Sequence, residues 1–458
     1  MILGSKITLM KKRIFFLLTL VYCSGFSYGQ SLNKHEGQIE VDRLMDSLWI
    51  HPTSFINHTD PNWVRLNEHL QDIDILQINE LIHAVFFGKN SFILNRSRAQ
   101  DGFIGNMNKN ADNAKLKFFH KKIRAGFRNS TLYPTHKVVL VEGDSWVEYP
   151  VVLKVITDFL EQRPNLAIYS QAKGSDWFSN MISSLQYEYD YVKTKPDVFI
   201  ISGGGNDLVG DYRLSNFILL NPFSADEPFL KNYRNYVFLR MLNKPVSICN
   251  SETCNYDKDM LLDAVSFDKA NFDTALLNQI VTGRRFLNQN FYRFMATLKL
   301  EYKMLFESLR KVDPDRFESV KIITQGYDYA IPNYERGGGL ARFMDNGEYL
   351  KEPMMMSGIN DPYLQQSIMK TIVFEMNEMM IELGKEYDNI YHVDARGITA
   401  YYGQYKGKKP GYYWFDELHP KSEIFGIIAN AYSEIIDDKI PPHQRVVKVI
   451  DSFSRSRK

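Results

Sequence analysis

Cysteine is scarce in this chain: 458 residues carry three. Cys23 lies in the N-terminal apolar stretch, which leaves Cys249 and Cys254 in Cys-Asn-Ser-Glu-Thr-Cys. Two cysteines cannot staple a small disulfide-built scaffold, and no histidine stands near them at ligand spacing, which excludes a cysteine–histidine zinc site. The pair reads either as a small-loop disulfide or as two free thiols. Charge of one sign is also missing. Lys and Arg total 55 against 54 Asp and Glu, a formal net charge of +1. So balanced a chain has no field to gather a polyanion, and nucleic acid is not an expected partner. Beyond the N-terminus no apolar run is long enough to span a bilayer. No Gly-Lys-Ser/Thr follows Gly203-Gly204-Gly205, which argues against a phosphate-binding loop. Internal repeats are absent.

Aromatic residues are plentiful at 14%, and the 44% hydrophobic and 24% charged fractions fit an ordinary globular chain. Lys11-Lys12-Arg13 followed by the apolar Ile14–Tyr22 segment and Ser27-Tyr28-Gly29 reads as an export signal over residues 1–29, cut before Gln30, with Met10 as a second possible start. A lipoprotein signal using Cys23 is the weaker reading, because Tyr22 is bulky for the preceding position. Export predicts a periplasmic or extracellular protein.

Residues 30–135 predict a mostly helical N-terminal region, with apolar residues at three-to-four spacing from Trp63 to Phe86. From His136 the pattern alternates. Short apolar runs at Val138–Val141, Leu166–Ser170, Asp197–Ile201, Val320–Thr324 and Ile390–Val393 predict strands. Helices are expected over Pro150–Gln162, Trp177–Tyr191, Phe291–Arg310, Pro362–Tyr387 and Lys421–Ile436. Strands that are apolar throughout, separated by helices, predict an α/β fold with a parallel sheet covered on both faces. The stretch from about 213 to 318 is too long for a loop and reads as an inserted subdomain or lid, and 437–458 reads as a C-terminal tail.

In such sheets function gathers where strands end. Gly143-Asp144-Ser145-Trp146 follows the first strand, Gly174 the second, and Gly204-Gly205-Asn206-Asp207 the third. Asp416-Glu417-Leu418-His419-Pro420 lies beyond the last. A serine needs a base, and the base needs a group that fixes its tautomer. His419 and Asp416, separated by two residues in a loop, can supply both to Ser145. The N–H of Ser145, the N–H of Gly174 and the amide of Asn206 can converge on an oxyanion. This chemistry calls for no metal and no organic cofactor.

These four blocks, in this order, resemble the GDSL or SGNH hydrolases. The resemblance covers roughly 136–212, 319–329 and 389–436. It implies a three-layer α/β/α, flavodoxin-like fold with a five-stranded parallel sheet over 136–436. It further implies Ser145 as nucleophile and oxyanion donor, Gly174 and Asn206 as further donors, His419 as base and Asp416 as its orienter. Trp146 replaces the leucine of the family motif, and neither the N-terminal region nor the insertion has a counterpart in the minimal family fold. The expected activity is ester hydrolysis through an acyl-enzyme, on an acylated carbohydrate or lipid. Two other readings fit the same blocks: an acyltransferase, and a non-catalytic protein that binds a glycan or another partner.

Other conspicuous residues read as structural. His392 is expected to be a satisfied strand histidine, Asp394 a loop anchor, Arg284-Arg285 a solvated pair, and Gly337-Gly338-Gly339 a surface turn. Met354-Met355-Met356 reads either as core packing or as the lining of an acyl pocket.

Overall fold

A computed structural model describes residues 31–70, 102–128, 131, 134–149, 153–242, 273–332, 349–409, 411–441 and 443–457. The export signal, Cys249, Cys254 and Gly337–Gly339 lie outside the described residues, as does the Trp63–Phe86 pattern beyond Leu70.

Six strands form one sheet: β1 Lys137–Gly143, β2 Leu166–Ser170, β3 Val198–Ser202, β4 Lys321–Gln325, β5 Ile390–Asp394 and β6 Val446–Lys448. Their order is β2-β1-β3-β4-β5-β6 and every pairing is parallel. Side chains alternate across a strand. On β1, Val138 and Leu140 enter one core while Val139 and Val141 enter the other. Both faces are therefore buried, which is why these strands are apolar without interruption. The helices Phe178–Ser184, Gln186–Thr194, Gln289–Val312 and Pro362–Gly384 cover the first face. Ile156–Glu161 and Ser422–Ile436 cover the second.

The sequence implied five strands, and the structure has six. β6 lies in the stretch read as a tail. Its three residues are too short to show a period, yet Val447 is fully buried beside Val393 of β5. The expected Trp177–Tyr191 helix is two helices, broken at Leu185, whose φ of 50° is left-handed. The helix expected from Pro150 begins at Ile156, where the Asp158 carboxylate accepts the Val155 N–H at 2.9 Å and fixes the start.

The 213–318 stretch is not wholly an insertion. Its Gln289–Val312 helix is the crossover from β3 to β4, capped by Asn288, whose side chain accepts the Asn290 and Phe291 N–H groups. This helix is buried on several sides, because the N-terminal helices pack on its outer surface. Trp63 is fully buried, and its indole N–H donates to Glu386 at 2.8 Å. The Lys299 ammonium lies 3.9 Å from the Trp63 ring centre and donates to the Ile56 carbonyl at 3.0 Å. Burial pulls its pKa down to about 7, against the opposing pull of the Glu386 carboxylate. The N-terminal region thus shares the first core rather than forming its own. A smaller cluster gathers Tyr233, Val237, Leu277 and Ile280 around Phe374. Among the described residues, no helix is long and apolar enough to cross a membrane.

Candidate active site

β1 has β2 on one side and β3 on the other, so the strand order reverses there. That reversal opens a crevice beyond the strand ends. Gly143, opposite Ser202 of β3, ends β1 with a φ of +152°. A Cβ at this position would stand 2.7 Å from both the Ser202 carbonyl and a Val147 methyl, so only glycine fits. The chain then turns at once: the Asp144 carbonyl accepts the Val147 and Glu148 N–H groups at 3.2 and 3.0 Å. Ser145 is carried on that turn, at the carboxyl edge of the sheet.

Residues 413–421 bring Asp416 and His419 to Ser145. The loop is closed on itself, with the Phe415 N–H donating to the His419 carbonyl at 2.8 Å and the Lys421 N–H to Tyr413 at 2.7 Å. Within it, Asp416 Oδ1 accepts the Leu418 and His419 N–H groups, both at 2.7 Å. The same carboxylate faces His419 Nδ1 through both oxygens, at 2.9 and 2.8 Å. His419 Nε2 lies 2.6 Å from Ser145 Oγ. With Nδ1–H donating to Asp416, Nε2 is left as the acceptor of the serine proton. All three side chains are buried. Trp146 ties the two segments together, its indole N–H donating to the Leu418 carbonyl at 3.2 Å. It therefore has a positioning role beyond simple packing.

Asn206 stands on the short Gly205–Val209 helix that follows β3. Its side-chain amide donates one proton to the Asp176 carbonyl at 2.9 Å. An amide has two N–H donors, so the second remains for a ligand. Gly174 is buried on the segment after β2, which runs beside β1: Lys173 N–H donates to the Gly143 carbonyl at 2.9 Å. Neither the Ser145 nor the Gly174 N–H meets an acceptor among the described residues. Buried backbone donors are rarely left so. A cavity of about 50 Å³ opens on Ser145, His419 and Asn206, and Gly174 is not part of its lining. The apolar wall comes from Leu208, Val209, Met369, Ile372, Val373 and Met376.

Several supporting residues were not singled out in the sequence. Asp144 accepts from Ser202 Oγ at 2.8 Å, from the Trp146 N–H at 3.1 Å and from the Tyr327 hydroxyl, which fixes the turn beneath the nucleophile. Asp207 accepts the Phe178 N–H at 2.7 Å and the Ser179 hydroxyl at 3.2 Å, stitching the segment after β3 to the one after β2. Glu417 accepts the Leu350 and Lys351 N–H groups at 2.9 and 3.2 Å, anchoring the base loop from outside.

The remaining candidates lie elsewhere. His392 is buried and bonded on both nitrogens, to Thr324 Oγ1 at 2.9 Å and Asn377 Oδ1 at 3.1 Å. Burial lowers its pKa to about 4. Asp394 grips Arg396 through both oxygens. Arg284 is not solvated as the sequence suggested. It is buried, donates to the Leu287 carbonyl at 3.1 Å and lies 4.4 Å from the Tyr292 ring centre, because aromatic rings from three segments enclose it. Of the three adjacent methionines, Met354 is in the core and Met356 is exposed; the cavity uses Met369 and Met376 instead. Among the described residues, no group of three or more His, Cys, Asp or Glu is placed to hold a metal ion.

Glu142 points into the first face from the end of β1. Burial, then the nearby Asp176 carboxylate, raise its pKa to about 8, against the ammonium of Lys173. The folded state holds this proton more tightly than the unfolded chain, whose value is near 4.5. The stability it contributes is therefore full below pH 4.5 and is lost as the pH rises through about 8. Glu142→Gln keeps the neutral form at every pH. The drop in melting temperature between pH 5 and pH 9 is expected to be smaller in this variant than in the parent, by on the order of 5 °C. Equal drops in thermal scans would show that Glu142 is ionised in the fold.

Compared with family models, curated proteins and solved structures, the chain matches none of them.

Proposed function

We propose that this chain is an exported serine ester hydrolase of the SGNH type, acting through an acyl-enzyme. The observation that carries the reading is one continuous relay. Ser145 Oγ, His419 Nε2 and, through Nδ1, both Asp416 oxygens lie within 2.6–2.9 Å, and they come from segments 274 positions apart. A chance turn serine and a chance loop histidine have no reason to meet so, buried, at the mouth of a cavity.

The steps follow from the geometry. Ser145 Oγ attacks the ester carbonyl carbon as its proton passes to His419 Nε2. The carbonyl oxygen takes up the charge, where the free amide proton of Asn206 and the Ser145 N–H can meet it. As the C–O bond to the alcohol breaks, Nε2 returns the proton to the leaving oxygen. Water then repeats the attack, giving the free acid and restoring Ser145. The cavity at Ser145 holds about 50 Å³. Its wall of Leu208, Val209, Met369, Ile372, Val373 and Met376 suits the apolar acyl half of the ester.

The test is covalent. A fluorophosphonate is expected to add once, at Ser145, as read by peptide mass spectrometry, and p-nitrophenyl acetate is expected to turn over. A folded parent that neither labels nor turns over this ester sinks the reading. Asn206→Ala is expected to lower kcat by about 10²–10³ with KM little changed, since the oxyanion forms only after binding. A change in KM alone would place Asn206 in ground-state binding.

A further inference from the structure

The apolar cavity at Ser145 suits the acyl half of the ester and leaves the alcohol half to be placed. A second and much larger space adjoins it. This cleft of about 660 Å³ lies past the ends of β4, β5 and β6, and it shares Asp328 and Ala330 with the catalytic cavity. The two cavities are therefore neighbours along the same edge of the sheet.

The cleft's guanidinium groups are already matched. Arg396 is paired with Asp394 at 2.7 Å and with Glu378 at 2.8 Å. Arg240 is paired with Glu378 and Glu382. Lys370 donates to Gln279. A polyanion would find each guanidinium taken by a carboxylate, and would meet Asp273 and Asp451 besides. A fatty chain would meet ion pairs along the same wall. What remains for a ligand is of another kind. Tyr329, Tyr401 and Trp414 line the cleft; Trp414 is largely buried, and of the three Tyr401 is the most exposed, at 41%. The side-chain amides of Gln366 and Gln404 bond to nothing else among the described residues. Aromatic faces beside unengaged amides suit a ligand with apolar ring faces and a rim of hydroxyls.

We infer that this cleft binds the sugar rings of a neutral oligosaccharide or polysaccharide, whose O-acyl ester is presented to Ser145. The inference rests on the esterase reading for its chemistry, but the binding stands apart from it. Bond making and breaking are those of ester hydrolysis: the acyl carbon passes from the sugar oxygen to Ser145 Oγ and then to water, and the sugar hydroxyl regains a proton from His419.

The experiment measures binding first, without turnover. Ser145→Ala chain is titrated calorimetrically with unacylated oligomers of xylan, mannan and β-glucan, and with oligogalacturonate as the anionic comparison. Binding of at least one neutral oligomer and not of oligogalacturonate is expected. Adding Tyr401→Ala should weaken it by at least about tenfold, with Tyr401→Phe restoring it because the ring is kept. Gln404→Ala should weaken it as well. Binding of no neutral oligomer, binding of the anionic oligomer alone, or binding indifferent to both substitutions overturns the assignment. In the parent background, Tyr401→Ala should lower kcat/KM on the acetylated oligomer relative to p-nitrophenyl acetate by the same factor. If the parent hydrolyses p-nitrophenyl acetate but no neutral oligomer binds, the cleft assignment falls and the esterase reading stands. If neutral oligomers bind but no ester turns over, the esterase reading falls and the cleft assignment stands.

Discussion

Ser145→Ala is expected to abolish ester turnover, with kcat falling by about 10⁶, while the fold is kept. The size follows from what the hydroxyl does. In the proposed mechanism it is the attacking atom, and nothing else on the turn can replace it: Asp144 is fully engaged by Ser202, Trp146 and Tyr327. The fold is kept because Ser145 Oγ bonds only to His419 among the described residues, and one such bond contributes about 1 kcal/mol net. His419→Ala is expected to fall almost as far, since the serine then keeps its proton. The double variant should be no slower than either single one, because the two residues act as one unit. The measurements are single-turnover kinetics with p-nitrophenyl acetate and far-UV circular dichroism. A double variant whose loss is the product of the single losses would mean that the two side chains act separately, and the relay would be wrong.

The residues of the candidate site were legible because each breaks a pattern. Ser145 ends an apolar run on Gly-Asp, Asn206 ends another on three glycines, and Asp416 and His419 are separated by two residues in a loop that belongs to no helix. The supporting residues break nothing. Tyr327 looks like any aromatic residue after a strand, yet its hydroxyl reaches Asp144 across 183 positions. Asp207 reads as part of the Asn206 block, and only the folded chain shows it capping the segment that carries Gly174. Long-range contacts of this kind leave no local spacing to read. The strands were legible for the opposite reason: burial on both faces makes them apolar without a gap. β6 escaped because three residues cannot state a pattern, and the Leu185 break escaped because leucine has no preference for a left-handed turn. Arg284 escaped because three of the rings around it, Phe223, Phe229 and Tyr233, come from segments well upstream in the chain.

Asp416→Asn is expected to cost about 10⁴ in kcat, more than loss of a charge alone suggests. In the parent, Asp416 Oδ1 accepts two backbone N–H groups, from Leu418 and His419, at 2.7 Å each. An asparagine has one oxygen, and those two donors claim it. The amide nitrogen is then turned toward His419 Nδ1, where a carboxylate oxygen stood at 2.8 Å. That nitrogen can only donate, so Nδ1 must accept, and the imidazole proton moves to Nε2. His419 Nε2–H now faces Ser145 Oγ at 2.6 Å as a donor, and cannot take the serine proton. The backbone of the loop stays satisfied throughout, so the loss is one of tautomer rather than of structure. Two readouts separate the causes. Thermal stability should change little, and the rate should partly recover at high pH, where hydroxide can remove the serine proton without the histidine. Loss of the fold in this variant, or a rate within tenfold of the parent at pH 7, would mean that Asp416 anchors the loop and does not set the state of His419.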